Sequence, residues 1–211
     1  MLLLQNVTDP EKNFTKLSPV GKGAFGTVYK IQDNRDKKLY AAKIIDLETD
    51  DDELEDIHRE VKILSQLDSK YITRYFGSLI KGPKLWIFME LLTGGSLSDI
   101  IYMLLETNDT LEEYQIATIV REILYGLDYM HKNNRLHRDM KAANVLLSNK
   151  GEIKLCDFGV SASVTNTTRK RETFAGTPYW MAPEVILRNS YDHRCDIFRI
   201  VYSLFFANFL L

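Results

Sequence analysis

The residues best suited to chemistry are concentrated in His137-Arg138-Asp139-Met140-Lys141-Ala142-Ala143-Asn144, followed after a short gap by Asp157-Phe158-Gly159. This set suits the transfer of a phosphoryl group from a magnesium nucleotide to a hydroxyl. Asp139 would accept or orient the proton of the attacking hydroxyl, and Lys141 would stabilise charge on the group in transfer. Asn144 and Asp157 would supply oxygen ligands to Mg2+. Either triplet alone occurs by chance. Both in order, with the lysine and the amide at set offsets and a glycine-rich loop upstream, make a specific signal.

Such a centre needs a nucleotide held in place. Val20-Gly21-Lys22-Gly23-Ala24-Phe25-Gly26-Thr27-Val28 is a loop whose glycines let backbone N–H groups approach a polyphosphate closely, as a cover for ATP. The competing reading, a dinucleotide-binding turn, requires a helix after the loop. Here Val28, Tyr29 and Ile31 follow, then an Asp33-Asn34 turn and a second strand over residues 39–45. Strand, loop, strand favours the phosphate cover.

On that second strand, alternation places Lys43 on the same face as Ala41, which fits a lysine reaching phosphates beside a small residue. Residues 50–67 begin acidic and carry Leu54, Ile57, Val61 and Leu64 at helical spacing. Glu60 shares their inward face, where a carboxylate needs a partner, and Lys43 is the natural one. Glu53 and Glu55 are less well placed.

Residues 72–76 and 85–90 read as two further strands around a Lys81-Gly82-Pro83 turn, completing a five-stranded antiparallel sheet. Met89 would then stand at the back of the nucleotide pocket, and Glu90 to Leu92 would lead out of it. Beyond Gly94-Gly95, Ser96 and Asp99 form a capping box, and Thr110-Leu111-Glu112-Glu113 a second. The second opens a helix whose Ile116, Ile119, Val120, Ile123, Leu124 and Leu127 are core, with His131 a favourable charge near its C-terminus. Short strands over 145–147 and 153–155 flank the Asn149-Lys150-Gly151 turn. No cysteine or acidic cluster accompanies His58 or His193 at metal-ligand spacing, so no structural zinc is expected. Between Asp157 and Ala182-Pro183-Glu184 runs a loop containing Arg169-Lys170-Arg171-Glu172-Thr173. A phosphate on Thr173 could pair with Arg138 and order the loop.

With 211 residues and 45% hydrophobic content, the chain can bury a substantial core. A net charge of −2 gives no reason to expect nucleic acid or an anionic membrane as partner. Two cysteines, Cys156 and Cys195, suggest a reducing, cytoplasmic setting. Met1-Leu2-Leu3-Leu4 is too short for a signal peptide core. The apolar run from Ile200 to Leu211 is shorter than the ~20 residues a membrane-crossing helix needs.

Taken together the chain resembles a eukaryotic serine/threonine protein kinase of the sterile-twenty family, germinal-centre-kinase branch. The likeness runs through residues 14–196, in Ala42-Lys43-Ile44-Ile45-Asp46-Leu47-Glu48, in the 137–147 stretch and in Gly176-Thr177-Pro178-Tyr179-Trp180-Met181-Ala182-Pro183-Glu184. The resemblance implies an α+β, bilobal fold and ATP and Mg2+ as cofactors. It further implies protein substrates phosphorylated on Ser or Thr, and activation by an upstream kinase or by autophosphorylation in trans. It places Lys43 against Glu60 and the phosphates, the adenine between Val20, Val28, Ala41 and Leu146, and the exit segment Glu90 to Leu92 at a hinge. Lys141 matches Ser/Thr rather than Tyr specificity, and Thr177 the substrate-side threonine.

This divides the chain into an extension over 1–13, a kinase domain over 14–196 (N-lobe 14–91, partial C-lobe 92–196) and a divergent apolar tail over 197–211. Where the family continues with Trp-Ser-Leu-Gly, this chain has Phe198-Arg199-Ile200-Val201. The expectation is a substitute helix in the family's groove, with Arg199 as its misfit, exposing an apolar side that lowers solubility and activity. Two functions follow: an active kinase, or a truncated kinase-like module that binds nucleotide or a partner without turnover.

Overall fold

A computed structural model describes residues 3–4, 7–23, 26–48, 51–157, 162–163, 181–187 and 191–209; for 51–54, 56, 59–60, 162–163 and 202–209 only the backbone is described. The chain forms two compact units, one of Met1–Asp68 with Thr73–Leu91, the other of Ser69–Ile72 with Leu92–Leu211.

The first unit contains a short helix α1 (Pro10–Asn13), then strands β1 (Phe14–Gly23), β2 (Gly26–Asp33) and β3 (Leu39–Asp46). Helix α2 (Asp51–Leu64) and strands β4 (Tyr75–Lys81) and β5 (Lys84–Met89) complete it. The sheet is five-stranded in the order β1-β2-β3-β5-β4, antiparallel throughout, as the alternating sequence anticipates. Residues directly opposite in neighbouring strands share a face. The Ala42–Phe88 pair therefore lies on one face, and Ala41–Met89 and Lys43–Ile87 on the other. Ala42, Trp86 and Phe88 form a core with Phe14, Ile31, Leu3 and Val7, so the N-terminal segment covers that face. Asp9 caps α1 and pairs with Lys81 at 2.6 Å, and Arg35 Nη2 donates to the Leu3 carbonyl at 2.6 Å.

Two sequence expectations shift here. The strand expected over 72–76 starts at Tyr75 and runs to Lys81, because Ile72 is taken up by a single bridge to Leu155 in the second unit. The helix expected over 50–67 ends at Leu64, and Gln66 and Leu67 close tighter turns onto the Ile63 and Leu64 carbonyls. The Gly82 turn stands where expected, with φ 56°.

In the second unit, α3 (Leu97–Thr107) opens on the expected box: Ser96 Oγ accepts from Asp99 N at 3.1 Å, and Asp99 Oδ2 accepts from Ser96 N at 2.8 Å. Helix α4 (Glu113–Lys132) does not start at Thr110. Its cap is Glu112, whose N–H donates to Gln115 Oε1 at 2.8 Å, while the Thr110 N–H is taken by the Asp109 side chain. Ile119, Ile123 and Leu127 are core as expected, but Leu124 is 41% exposed. A helix buries a stripe narrower than the apolar set the sequence offered.

Gly126 brings α4 against β8. A Cβ there would meet Leu155 Cδ1 at 2.8 Å. The remaining elements are β6 (Arg135–Leu136), a 3-10 turn (Ala142–Asn144), β7 (Val145–Leu147), β8 (Ile153–Leu155) and β9 (Ala162–Ser163). Helices α5 (Pro183–Ile186) and α6 (Arg194–Phe209) follow. Strands β7 and β8 pair with each other, and β6 pairs with β9. Arg199, expected as a misfit in α6, is instead buried and ion-paired. Among the described residues no helix is long and apolar enough to cross a membrane.

Candidate functional site

The loop between β6 and the 3-10 turn is fixed from α6. Asp196, fully buried, accepts the backbone N–H of His137 at 3.0 Å and of Arg138 at 2.8 Å. It also meets His131 Nε2 at 2.8 Å. Burial alone would push this carboxyl up. The His131 hydrogen bond and the backbone amides of His137 and Arg138 outweigh burial and hold it below the usual aspartate value. These bonds keep Arg138 at φ 67°, a left-handed conformation that a non-glycine residue adopts at a cost of about 1–3 kcal/mol.

His137 is also fully buried. Its Nε2 lies 3.1 Å from the Cys156 carbonyl, and its Nδ1 accepts the Asp139 N–H at 3.3 Å. One nitrogen donating and one accepting is the pattern of a neutral imidazole, and burial lowers its pKa accordingly.

Around Asp139 the expected residues converge. Lys141 Nζ lies 2.7 Å from Asp139 Oδ2, and Asn144 Nδ2 donates to the same oxygen at 3.0 Å and to the Asp139 carbonyl at 2.6 Å. Arg199 Nη1 lies 3.4 Å from Oδ1. The Cys156 N–H donates to the Asn144 carbonyl at 3.0 Å, tying the end of β8 to the 3-10 turn immediately before Asp157. The Asn144 Nδ2 is given to Asp139, which leaves its amide oxygen as the atom of that side chain able to meet a cation. That oxygen and the Asp157 carboxylate are hard donors of the kind Mg2+ accepts, one or two from protein and the rest from phosphate or water.

The phosphate-side residues belong to the first unit. Gly21 pairs with Val28, Lys22 with Thr27 and Gly23 with Gly26 across the β1–β2 turn; Ala24 and Phe25 lie outside the described residues. The glycines are not equivalent. A Cβ on Gly26 would overlap the Ile44 carbonyl, whereas one on Gly21 would make only an ordinary 3.9 Å contact with Val28. Val20 is 51% exposed, and Lys22 is exposed too.

Lys43 is buried at 4% exposure, on the face it shares with Ala41. Glu60 lies in α2, but its side chain is outside the described residues. Met89 ends β5, and Glu90 donates its N–H to the Arg74 carbonyl at 2.9 Å. In the second unit Leu92 is 9% exposed, and Leu146 in β7 bridges to Ser96. Thr173 and Thr177 lie outside the described residues. Arg138 stacks its guanidinium 5.2 Å from the Tyr191 ring, and its buried Nε has no hydrogen-bond partner among the described residues.

Sequence reasoning missed the residues behind the loop. Asp196, the His131 contact to it and Arg199 are brought to the loop by tertiary packing across about 60 residues, which leaves no local spacing to read.

The sequence matches the protein kinase domain model over residues 14–209. It is 46% identical over 192 residues to serine/threonine-protein kinase dst1 of Dictyostelium discoideum, an overlap of 91% of this chain and 25% of dst1. It is 46% identical over 189 residues to serine/threonine-protein kinase sid1 of Schizosaccharomyces pombe, covering 89% of this chain and 39% of sid1. Against serine/threonine-protein kinase hippo of Drosophila melanogaster it is 44% identical over 191 residues, 90% of this chain and 28% of hippo. The chain thus spans well under half the length of these curated relatives.

Proposed function

The chain belongs to the protein kinase family, among the serine/threonine kinases of sterile-twenty type, and from that premise we propose that it transfers the γ-phosphoryl group of ATP to Ser or Thr hydroxyls of intracellular proteins. The observation that carries the reading is the Asp139 carboxylate, held by Lys141 and Asn144 within a loop that Asp196 fixes from behind. Preorganised groups of this kind supply catalysis without reorganising during reaction.

In this reading Asp139 receives the proton of the acceptor hydroxyl, and Lys141 answers the charge developing on the phosphoryl oxygens. Asn144 and Asp157 hold Mg2+. Bound magnesium–ATP supplies the transferable phosphoryl group and, through the metal, part of its charge neutralisation. Val20 to Val28 cover the phosphates, Lys43 positions them with Glu60 as its partner, and Val20, Val28, Ala41, Met89 and Leu146 line the adenine, with Glu90 and Leu92 at its edge. Phosphate on Thr173 is answered by Arg138, whose buried Nε, without a hydrogen-bond partner among the described residues, supports that role. Thr177 contacts the substrate side. An upstream kinase or a second copy in trans delivers the phosphate, and a chain with only two cysteines suits a cytoplasmic setting.

The test is phosphorylation of a generic protein substrate by the full chain with magnesium–ATP. Asp139→Asn should abolish transfer and leave nucleotide binding largely intact, while Asp157→Asn should also weaken magnesium–ATP binding. Equal turnover in Asp139→Asn and wild type would sink the assignment. A second reading, a nucleotide-binding module of weak turnover, is favoured by the Arg199 contact to Asp139.

A further inference from the structure

Helix α6 reaches the catalytic loop twice. Asp196 binds the backbone of His137 and Arg138, and three residues later, on the same side of the helix, Arg199 reaches the Asp139 side chain. Arg199 is only 3% exposed, and a guanidinium so removed from water needs an anion to answer it. The answering group is Asp139 Oδ1, at 3.4 Å. The other carboxylate oxygen, Oδ2, is already occupied by Lys141 and Asn144. Oδ1 is therefore the oxygen left for an incoming hydroxyl, and the guanidinium stands at it.

We infer that Arg199 is a positioning residue that draws Asp139 Oδ1 toward α6 and so restrains it as the proton acceptor, an inference that rests on the kinase reading of Asp139. A hydroxyl must displace or share a charge-assisted contact before it can give up its proton. Among the described residues the ion pair of Arg199 is with Asp139, the proton acceptor, so its influence falls on the transfer step.

The experiment compares the full-length wild-type chain with Arg199→Met, which keeps the length and removes the charge, and Arg199→Lys, which keeps the charge. Phosphorylation of a generic protein substrate is followed at varied magnesium–ATP. In Arg199→Met kcat should rise on the order of tenfold, a fraction of the ~10²–10⁴ that a positioned acid or base contributes, with KM for ATP unchanged. Arg199→Lys should stay near the wild-type rate. A well-folded Arg199→Met with kcat unchanged or lowered, or a rise equally large in Arg199→Lys, would overturn the inference. A second measurement needs no turnover: melting temperatures of Arg199→Met, Asp139→Asn and the double variant. Shifts that depart from additivity support the contact, and strictly additive shifts refute it. Absence of transfer in wild type and all variants, with magnesium–ATP still bound, would count against the proposed function instead, and the melting cycle alone would then decide the contact.

Discussion

At the scale of single residues, the same residue type serves different ends in one motif. Gly26 is required by the fold, since a Cβ would collide with the Ile44 carbonyl; Gly21 has room for one. We therefore expect Gly26→Ala to lower the melting temperature, at a cost of about 1–3 kcal/mol for the forced backbone shift. Gly21→Ala should melt like wild type and weaken ATP binding, as read by nucleotide titration. A Gly21→Ala variant that binds ATP normally would separate that glycine from phosphate binding. Arg138 carries a second expectation at this scale. Thr173→Ala should be low in activity, because a phosphate contact worth about 1.5–3 kcal/mol is lost. Finding Thr173 unmodified by mass spectrometry in an activated sample would move the switch elsewhere.

Elements decide where such residues stand, and here the sequence was unevenly legible. The β1–β2–β3 order and the Ser96–Asp99 box could be read because alternation and capping are local patterns. Thr110 misled because a hydroxyl ahead of acidic residues looks like a cap; Glu112, with Gln115 three residues on, serves instead. Ile72 misled because a β-branched run resembles a strand even where tertiary contacts claim it for a single bridge. The Asp139, Lys141 and Asn144 cluster could be expected from spacing, whereas the support from Asp196 could not, since α4, α6 and the loop meet only in the folded chain. That support has a measurable value. Asp196→Ala strips the partner from the buried His137 amide and the part-buried Arg138 amide, and should cost about 3 kcal/mol in denaturant titration. A loss under ~0.5 kcal/mol would mean that the loop is held by something else.

For the molecule as a whole, acid should be the first stress to act. His137 is buried with its pKa lowered, so between its unfolded value of 6.5 and its lower folded value the unfolded chain binds the extra proton. This contribution to stability is complete above pH 6.5 and is lost as pH falls below it, at up to about 1.4 kcal/mol per pH unit. Asp196, whose folded pKa is also lowered, adds a second loss as pH falls below 3.8. Melting temperatures that hold level from about pH 7.5 down to 5 would contradict the first of these. The N-terminal segment has a different bearing. The family match begins at Phe14, yet the core of the first unit already includes Leu3 and Val7, and the Arg35 and Lys81 side chains are tied to Leu3 and Asp9. The segment matched by the family and the segment that builds the fold are therefore not the same length. A recombinant fragment trimmed to the matched segment would open a greasy seam along one side of the sheet, and an affinity tag placed directly before Leu3 would need a spacer to leave that seam closed.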